Sequence, residues 1–209
     1  MRPHADSWLV ARADELVARH IVRGELGCPV CEARYPVRDG VADFTRANER
    51  SAGERPPTAH RAATSAAALA LRAAALLGLT EPGGIVVFAG EWTAAANDVL
   101  AMTEHVQLLA LDYAPALLSG GALSLARIGS VLPLAAGSVR GIALDAAHAT
   151  PALLAGAERA LAPGARLIAP ASVSIPATLQ ELARDAEHWV AAAPAASNVS
   201  IPVPIAPRR

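Results

Sequence analysis

The run Gly84-Ile-Val-Val-Phe-Ala-Gly-Glu-Trp-Thr-Ala94 constrains the fold more than any other part of this chain. It reads as a buried strand, then a turn, then the start of a helix. In an α/β protein that junction is where a nucleotide-type cofactor sits. Such a turn uses glycines so that the ligand can approach bare backbone. Here Gly90 is in place, but the position two residues on is Trp92. An indole at that position competes with a nucleoside for space.

The pattern around this junction repeats. Strands are predicted at 85–89, 107–111, 126–131, 141–145 and 166–170, with helices at about 58–77, 93–103, 114–121, 151–161 and 176–192. Alternation of this kind predicts an α/β fold with a Rossmann-like, mostly parallel sheet and helices on both faces. Gly78 is expected to close the helix that ends at Leu77. Before this region lies a small module of residues 1–44, then a polar stretch, 45–57, with Pro56-Pro57 that reads as a linker. The large domain is 58–209. In the small module, 6–19 reads as a short helix, Gly24 as a turn, and Asp39-Gly40 as a tight turn between short strands. The tail 198–205 is expected to add an edge strand at most, because its prolines exclude a central one.

Hydrophobic residues make up 53% of the 209, enough for one ordinary domain and a small one, while aromatics are only 3%. The core must therefore be built from Ala, Leu, Val and Ile. All 18 basic residues are arginine, and the net charge is −1. No concentrated basic face is forced, which argues against nucleic acid as the main partner. No apolar run reaches membrane-spanning length and no signal-peptide pattern opens the chain, so the expectation is a cytoplasmic protein away from membranes.

The two cysteines, Cys28 and Cys31, stand at C-x-x-C spacing, which suits a metal or redox pair better than a structural disulfide. A structural zinc wants four ligands, and one pair supplies two. His20, His4 or a second chain would have to complete the set; the bland alternative is an unmetallated pair shaping a turn. Around it, Gly24-Glu-Leu26, Cys28-Pro-Val-Cys31, Tyr35-Pro-Val37 and Asp39-Gly-Val41 together resemble the Trm112-like family, over nearly thirty residues. That resemblance implies a small α+β module that partners methyltransferases or is fused to them. It also implies that residues 1–44 dock on an apolar edge of the large domain's sheet.

From about Thr58 onward the chain resembles class I S-adenosylmethionine-dependent methyltransferases, of the methyltransferase-type-11 group. The segments that carry this are Leu109-Ala-Leu-Asp-Tyr-Ala-Pro-Ala-Leu-Leu118, Leu132-Pro-Leu-Ala-Ala-Gly-Ser-Val139 and Glu158-Arg-Ala-Leu-Ala-Pro-Gly-Ala-Arg-Leu-Ile168. The cofactor positions implied by the family are mostly absent. Its first strand ends in an acidic residue, where this chain has Phe88. Its Gly-x-Gly-x-Gly loop is Gly90-Glu-Trp92-Thr-Ala94. Its adenine-reading acid falls among Ile128, Gly129 and Ser130, and its Phe-Asp pair is Val139-Arg140. Asp112, at the end of the second strand, remains; it is either a ribose clamp or a cap on the helix starting at Ala114.

Three functions follow as expectations. The first is a methyltransferase-like pseudoenzyme with no bound cofactor, whose Trp92 fills the vacated seat and whose work is binding: scaffolding a protein partner, or forming a homodimer. An apparent early stop after the fifth strand supports it, since a working family member commonly has two more strands. The second is an active transferase on a small molecule, RNA or protein, with Gly90, Trp92 and Asp112 around S-adenosylmethionine and Trp92 turned out of the cleft. The third is a zinc-dependent interaction module built on Cys28 and Cys31. His148 and Asp145, just after the fourth strand, read as loop residues, the alternative being an acceptor-side role. His188 and Trp189 are expected to pack against the sheet or the first module. Glu181, Arg184, Asp185 and Glu187 read as a solvated helix face, and Arg208-Arg209 is too short for a binding tail.

Overall fold

The computed structural model describes residues 7–45, 65–113 and 117–195. They form one 11-stranded sheet. Its strands are β1 (Val10–Val17), β2 (His20–Gly27), β3 (Arg34–Arg38), β4 (Val41–Asp43), β5 (Ile85–Ala89), β6 (Gln107–Leu111), β7 (Leu123–Arg127), β8 (Val139–Ala143), β9 (Leu161–Pro170), β10 (Gln180–Arg184) and β11 (His188–Ala192). The spatial order is β1-β2-β3-β4-β7-β6-β5-β8-β9-β11-β10. The run β4-β7-β6-β5-β8-β9 is parallel throughout; the flanking pairs are antiparallel. The α/β expectation is met.

Among the described residues three helices cover the sheet: α1 (Ala66–Leu77), α2 (Ala96–Met102) and α3 (Pro151–Ala160). A 3-10 turn, Gly90–Ala95, joins β5 to α2. On one face α1 and α2 pack through Ala70, Ala73, Leu77 and Val99 with Phe88, Leu108 and Val190; on the other, α3 packs through Leu153 and Ala157 with Val87, Ile142 and Leu167. Alternate residues of β5 thus enter different cores, as the two-residue period of a strand requires. Ser65 caps α1 by accepting the Ala68 N–H. At its other end Gly78, at φ 65°, supplies the left-handed residue that returns its N–H to Ala74 and Ala75. The helix therefore ends where the glycine predicts. Its expected beginning, from 58, lies outside the described residues, as do most of the linker, the tail 198–205, His4 and Arg208-Arg209.

Several expectations are corrected. The stretch read as a helix over 6–19 contains strand β1, so the small module is all-β in its described part rather than α+β. Its turn, Ala18-Arg19, has positive φ at both residues (46° and 70°), the twist that suits a two-residue hairpin. Gly24 is not a turn. It lies inside β2, where a Cβ would stand 2.2 Å from the Arg12 carbonyl oxygen. Asp39-Gly40 is the hairpin turn between β3 and β4, as expected. Residues 117–121 hold no helix.

The region read as a helix over 176–192 is the β10–β11 hairpin. Asp185 Oδ1 accepts the N–H groups of Glu187 and His188 across the turn. A side chain that satisfies its neighbours' donors in this way competes with helix. Trp189, Val190 and Ala191 are buried in succession, which fits a strand covered on both faces. The chain thus has two strands beyond β9, and the apparent early stop is overturned.

The small module joins the large sheet edge to edge. β4 pairs in parallel with β7 (Val41 with Leu125, Ala42 with Ala126, Asp43 with Arg127), and Phe44 N–H donates to Arg127 O at 2.8 Å. His20 Nε2 lies 3.0 Å from Gly121 O. Ala42 and Phe44 pack against one core and Val41 against the other.

Candidate functional site

Parallel strands bring the ends of β5, β6 and β8 together at one edge of the sheet. Gly90 follows β5, Asp112 follows β6, and Asp145 lies two residues past β8. His148 joins the ends of β6 and β8, and Asp145 ties in the end of β5. His148 Nδ1 is 2.6 Å from Asp145 Oδ1 and its Nε2 is 3.1 Å from Asp112 Oδ2. Asp145 Oδ1 also accepts the N–H groups of Ala147 and His148, and its Oδ2 accepts that of Glu91 at 3.2 Å. Asp112 Oδ1 accepts the Ile128 N–H, also at 3.2 Å.

Asp145 and His148 are each only 1% exposed, so they are core residues rather than loop residues. Their spacing, Asp145-Ala-Ala-His148, is the sequence signal of this contact. An Asp that caps its own turn brings the histidine three residues on back over its carboxylate.

The electrostatics follow from that enclosure. Burial disfavours charge on His148. The hydrogen bonds and negative charges of Asp112 and Asp145 outweigh it and push its pKa up to about 9. Burial likewise opposes charge on Asp145, yet the His148 hydrogen bond and charge, with the Glu91 and His148 N–H groups, hold its carboxyl below the usual range. The result is an imidazolium clamped between two carboxylates.

The clamp determines what fits at the β5 turn. Gly90 sits at φ 61°, and a Cβ built there would lie 1.9 Å from Asp145 Oδ2. The glycine therefore makes room for a carboxylate of the same chain. Trp92 is fully buried on the α1–α2 side of the sheet, with Phe88, Ala95 and Val99 in the same cluster. Its ring meets His188 edge-on, with centroids 5.1 Å apart, and its Nε1 has no hydrogen-bond partner among the described residues. Two surface cavities, of about 290 and 380 Å³, lie elsewhere: one beside Gly78, Arg140 and Arg166, the other beside Val10, Arg12 and Cys28.

His188 and Trp189 lie in β11 rather than on a helix: His188 meets Trp92 and Arg72 of α1, and Trp189 is buried in the core on the α3 side. Arg72 of α1 reaches Asp185 at 2.7 Å, Glu187 at 3.0 Å and His188 Nδ1 at 3.2 Å. Burial, then the Arg72 charge, lowers the His188 pKa against the opposing pull of Asp185 and Glu187. Glu181 and Arg184 pair at 2.8 Å within the hairpin, which corrects their assignment to a helix face.

Cys28 and Cys31 flank the tight turn after β2. The N–H groups of Cys31 and Val30 point at the Cys28 sulfur and hold its thiol below the ordinary range. His20 does not complete a metal set, being engaged with Gly121 O. Among the described residues no group of three or more His, Cys, Asp and Glu side chains is gathered as a metal would need. Nor is any described helix long and apolar enough to cross a membrane.

No protein-family model and no curated protein matches this chain. Solved structures similar to it include three described as methyltransferases or their complexes. One is a chain of the complex between the Haloferax volcanii Trm112 methyltransferase activator and a methyltransferase (16% identity, 60% of this chain and 88% of that one, TM-score 0.49). Another is the Escherichia coli methyltransferase yhhF (12%, 67% and 91%, TM-score 0.48). A third is an S-adenosyl-L-methionine-dependent methyltransferase of Methanococcus maripaludis (9%, 65% and 87%, TM-score 0.44).

Proposed function

We propose that this protein is a methyltransferase-like binding protein whose nucleoside seat is occupied by its own side chains. The observation that carries this reading is the bond between Asp112 and His148. A ribose clamp works by offering a carboxylate to the two sugar hydroxyls. Here both carboxylate oxygens of Asp112 already accept from the protein, from His148 and from Ile128. A nucleoside would have to displace a charged, buried partner, leaving His148 and Asp145 poorly compensated. Asp145 over Gly90 and the buried indole of Trp92 add to that cost. The Trm112-like pattern of residues 17–44, on a module that shares its sheet with the large domain, fits a role in protein association.

Calorimetry of the full chain with S-adenosylmethionine tests the reading. No heat of binding is expected at concentrations that would saturate a micromolar site. Micromolar affinity would overturn it.

One observation favours a second reading, that of an active transferase. Strands β10 and β11 are present, so the large domain is not short of the two strands that follow the fifth in working members of the family it resembles. On that reading Asp112 exchanges His148 for ribose, and the same titration gives binding. Zinc at Cys28 and Cys31 belongs to neither reading. It would need ligands from outside the described residues or from a second chain.

A further inference from the structure

Neither reading of the nucleoside seat uses Cys28 and Cys31. Both are thiols, and both belong to one turn between β2 and β3. The backbone closes that turn by itself. Cys28 N–H donates to Ala33 O and Glu32 N–H to Cys28 O, each at 2.9 Å, and Glu32 takes the left-handed conformation at φ 58°. Neither sulfur is needed to shape it. Among the described residues no third ligand stands with the pair, so the two thiols do not amount to a structural metal set either.

The turn places two unequal thiols side by side. Cys28 is 7% exposed. Cys31 is partly open, flanked by the exposed Pro29, Val30 and Glu32. The two thiols face each other, and the N–H groups of Val30 and Cys31 point at the Cys28 sulfur. An accessible thiol beside a shielded one is what two-step disulfide exchange requires: one sulfur receives the reagent and the other completes the reaction. The geometry points to Cys28 and Cys31 as a dithiol that exchanges with low-molecular-weight disulfides, with Cys31 taking the incoming group and Cys28 resolving it.

In the first step the Cys31 thiolate attacks one sulfur of a disulfide RS–SR. The bond from Cys31 to that sulfur forms, the RS–SR bond breaks, and RS⁻ leaves. In the second step the Cys28 thiolate attacks the Cys31 sulfur. The Cys28–Cys31 bond forms, the bond to SR breaks, and a second RS⁻ leaves. Two protein thiols are oxidised and one external disulfide is reduced; the two protons given up by the cysteines end on the two released thiols. The N–H groups of Val30 and Cys31 meet the negative charge that Cys28 carries as it attacks, and again as it leaves when the bond is reduced.

Oxidised glutathione is the probe, added to the full reduced chain at neutral pH. Remaining thiols are trapped by alkylation and counted by mass spectrometry. Wild type should lose both thiols together and carry no glutathione. Cys28→Ser should stop at one glutathione on Cys31, in a mixed disulfide that persists. Cys31→Ser should react about tenfold more slowly than Cys28→Ser, because its remaining sulfur is shielded. In urea the two variants should react alike, which ties the difference to the fold. A wild-type chain that accumulates the mixed disulfide overturns the proposal, because Cys28 then does not resolve it. Equal rates for the two folded variants overturn it as well. So does a reduced chain that takes up zinc and is then protected from glutathione, since the pair is then part of a metal site. None of these outcomes depends on the nucleoside titration, so the two ideas fail separately.

Discussion

His148 is a cation held between two carboxylates where almost no water reaches, and this sets a pH response. Its pKa is raised from 6.5 to about 9 by Asp112 and Asp145 against the opposing effect of burial. A raised histidine contributes stability that is fully present below its unfolded pKa and lost as pH rises through the folded one. Unfolding free energy should therefore fall by on the order of 3 kcal/mol between about pH 6.5 and about pH 9, and thermal midpoints with it. His148→Ala should remove that slope and cost a similar amount at neutral pH, because it leaves Asp145 buried beside Asp112 without the charge between them. A variant whose midpoint against pH parallels the wild type would show that the clamp is not charged. Trp92 is the other singular residue. Its indole is wholly enclosed and its Nε1 has no partner among the described residues, so the packing of its ring has to offset that donor's lost hydration.

Among the elements, the β10–β11 hairpin is fastened to α1 by Arg72, whose guanidinium meets Asp185, Glu187 and His188. The two carboxylates are more than half exposed, so the pairs are screened by solvent. Arg72→Ala should lower the stability read from urea unfolding by only about 0.5–1 kcal/mol, and the difference should shrink in high salt. This hairpin also marks where sequence reading stopped working. Leu179, Leu182, Ala183 and Ala186 recur at helical spacing, and only the Asp185 turn and the burial of Trp189–Ala191 show the strands. Pairing to β9 is non-local, so no window of residues reveals it. The central parallel strands were legible because being covered on both faces demands continuous apolar runs, as in Ile85–Ala89 and in residues 108–111. At the site, Gly90 and Asp112 were legible by position. The Asp145–His148 clamp was not, because its geometry depends on three strand ends meeting.

At the scale of the whole molecule, the small module and the large domain share one sheet, so the question is what β7 does without β4. β7 is parallel to both neighbours, and its Leu123, Leu125 and Ala126 are buried. Removing residues 1–44 takes away the β4 ladder, the Phe44 to Arg127 hydrogen bond and the contacts of Val41, Ala42 and Phe44 with the two cores. What remains is a parallel edge whose Leu123, Leu125 and Ala126 lose their cover, with no bulge in β7's pairing to β6 and a single charge, Arg127, at its end to discourage another strand. The fragment 45–209 should therefore aggregate or form mixed oligomers. Adding residues 1–44 as a separate chain should restore solubility only at high concentration, since the covalent connection otherwise supplies an effective concentration in the millimolar range. Light scattering of the fragment with and without the added module checks this. A stable, monomeric 45–209 would mean that the β4–β7 ladder contributes little, and that the large domain protects its own edge.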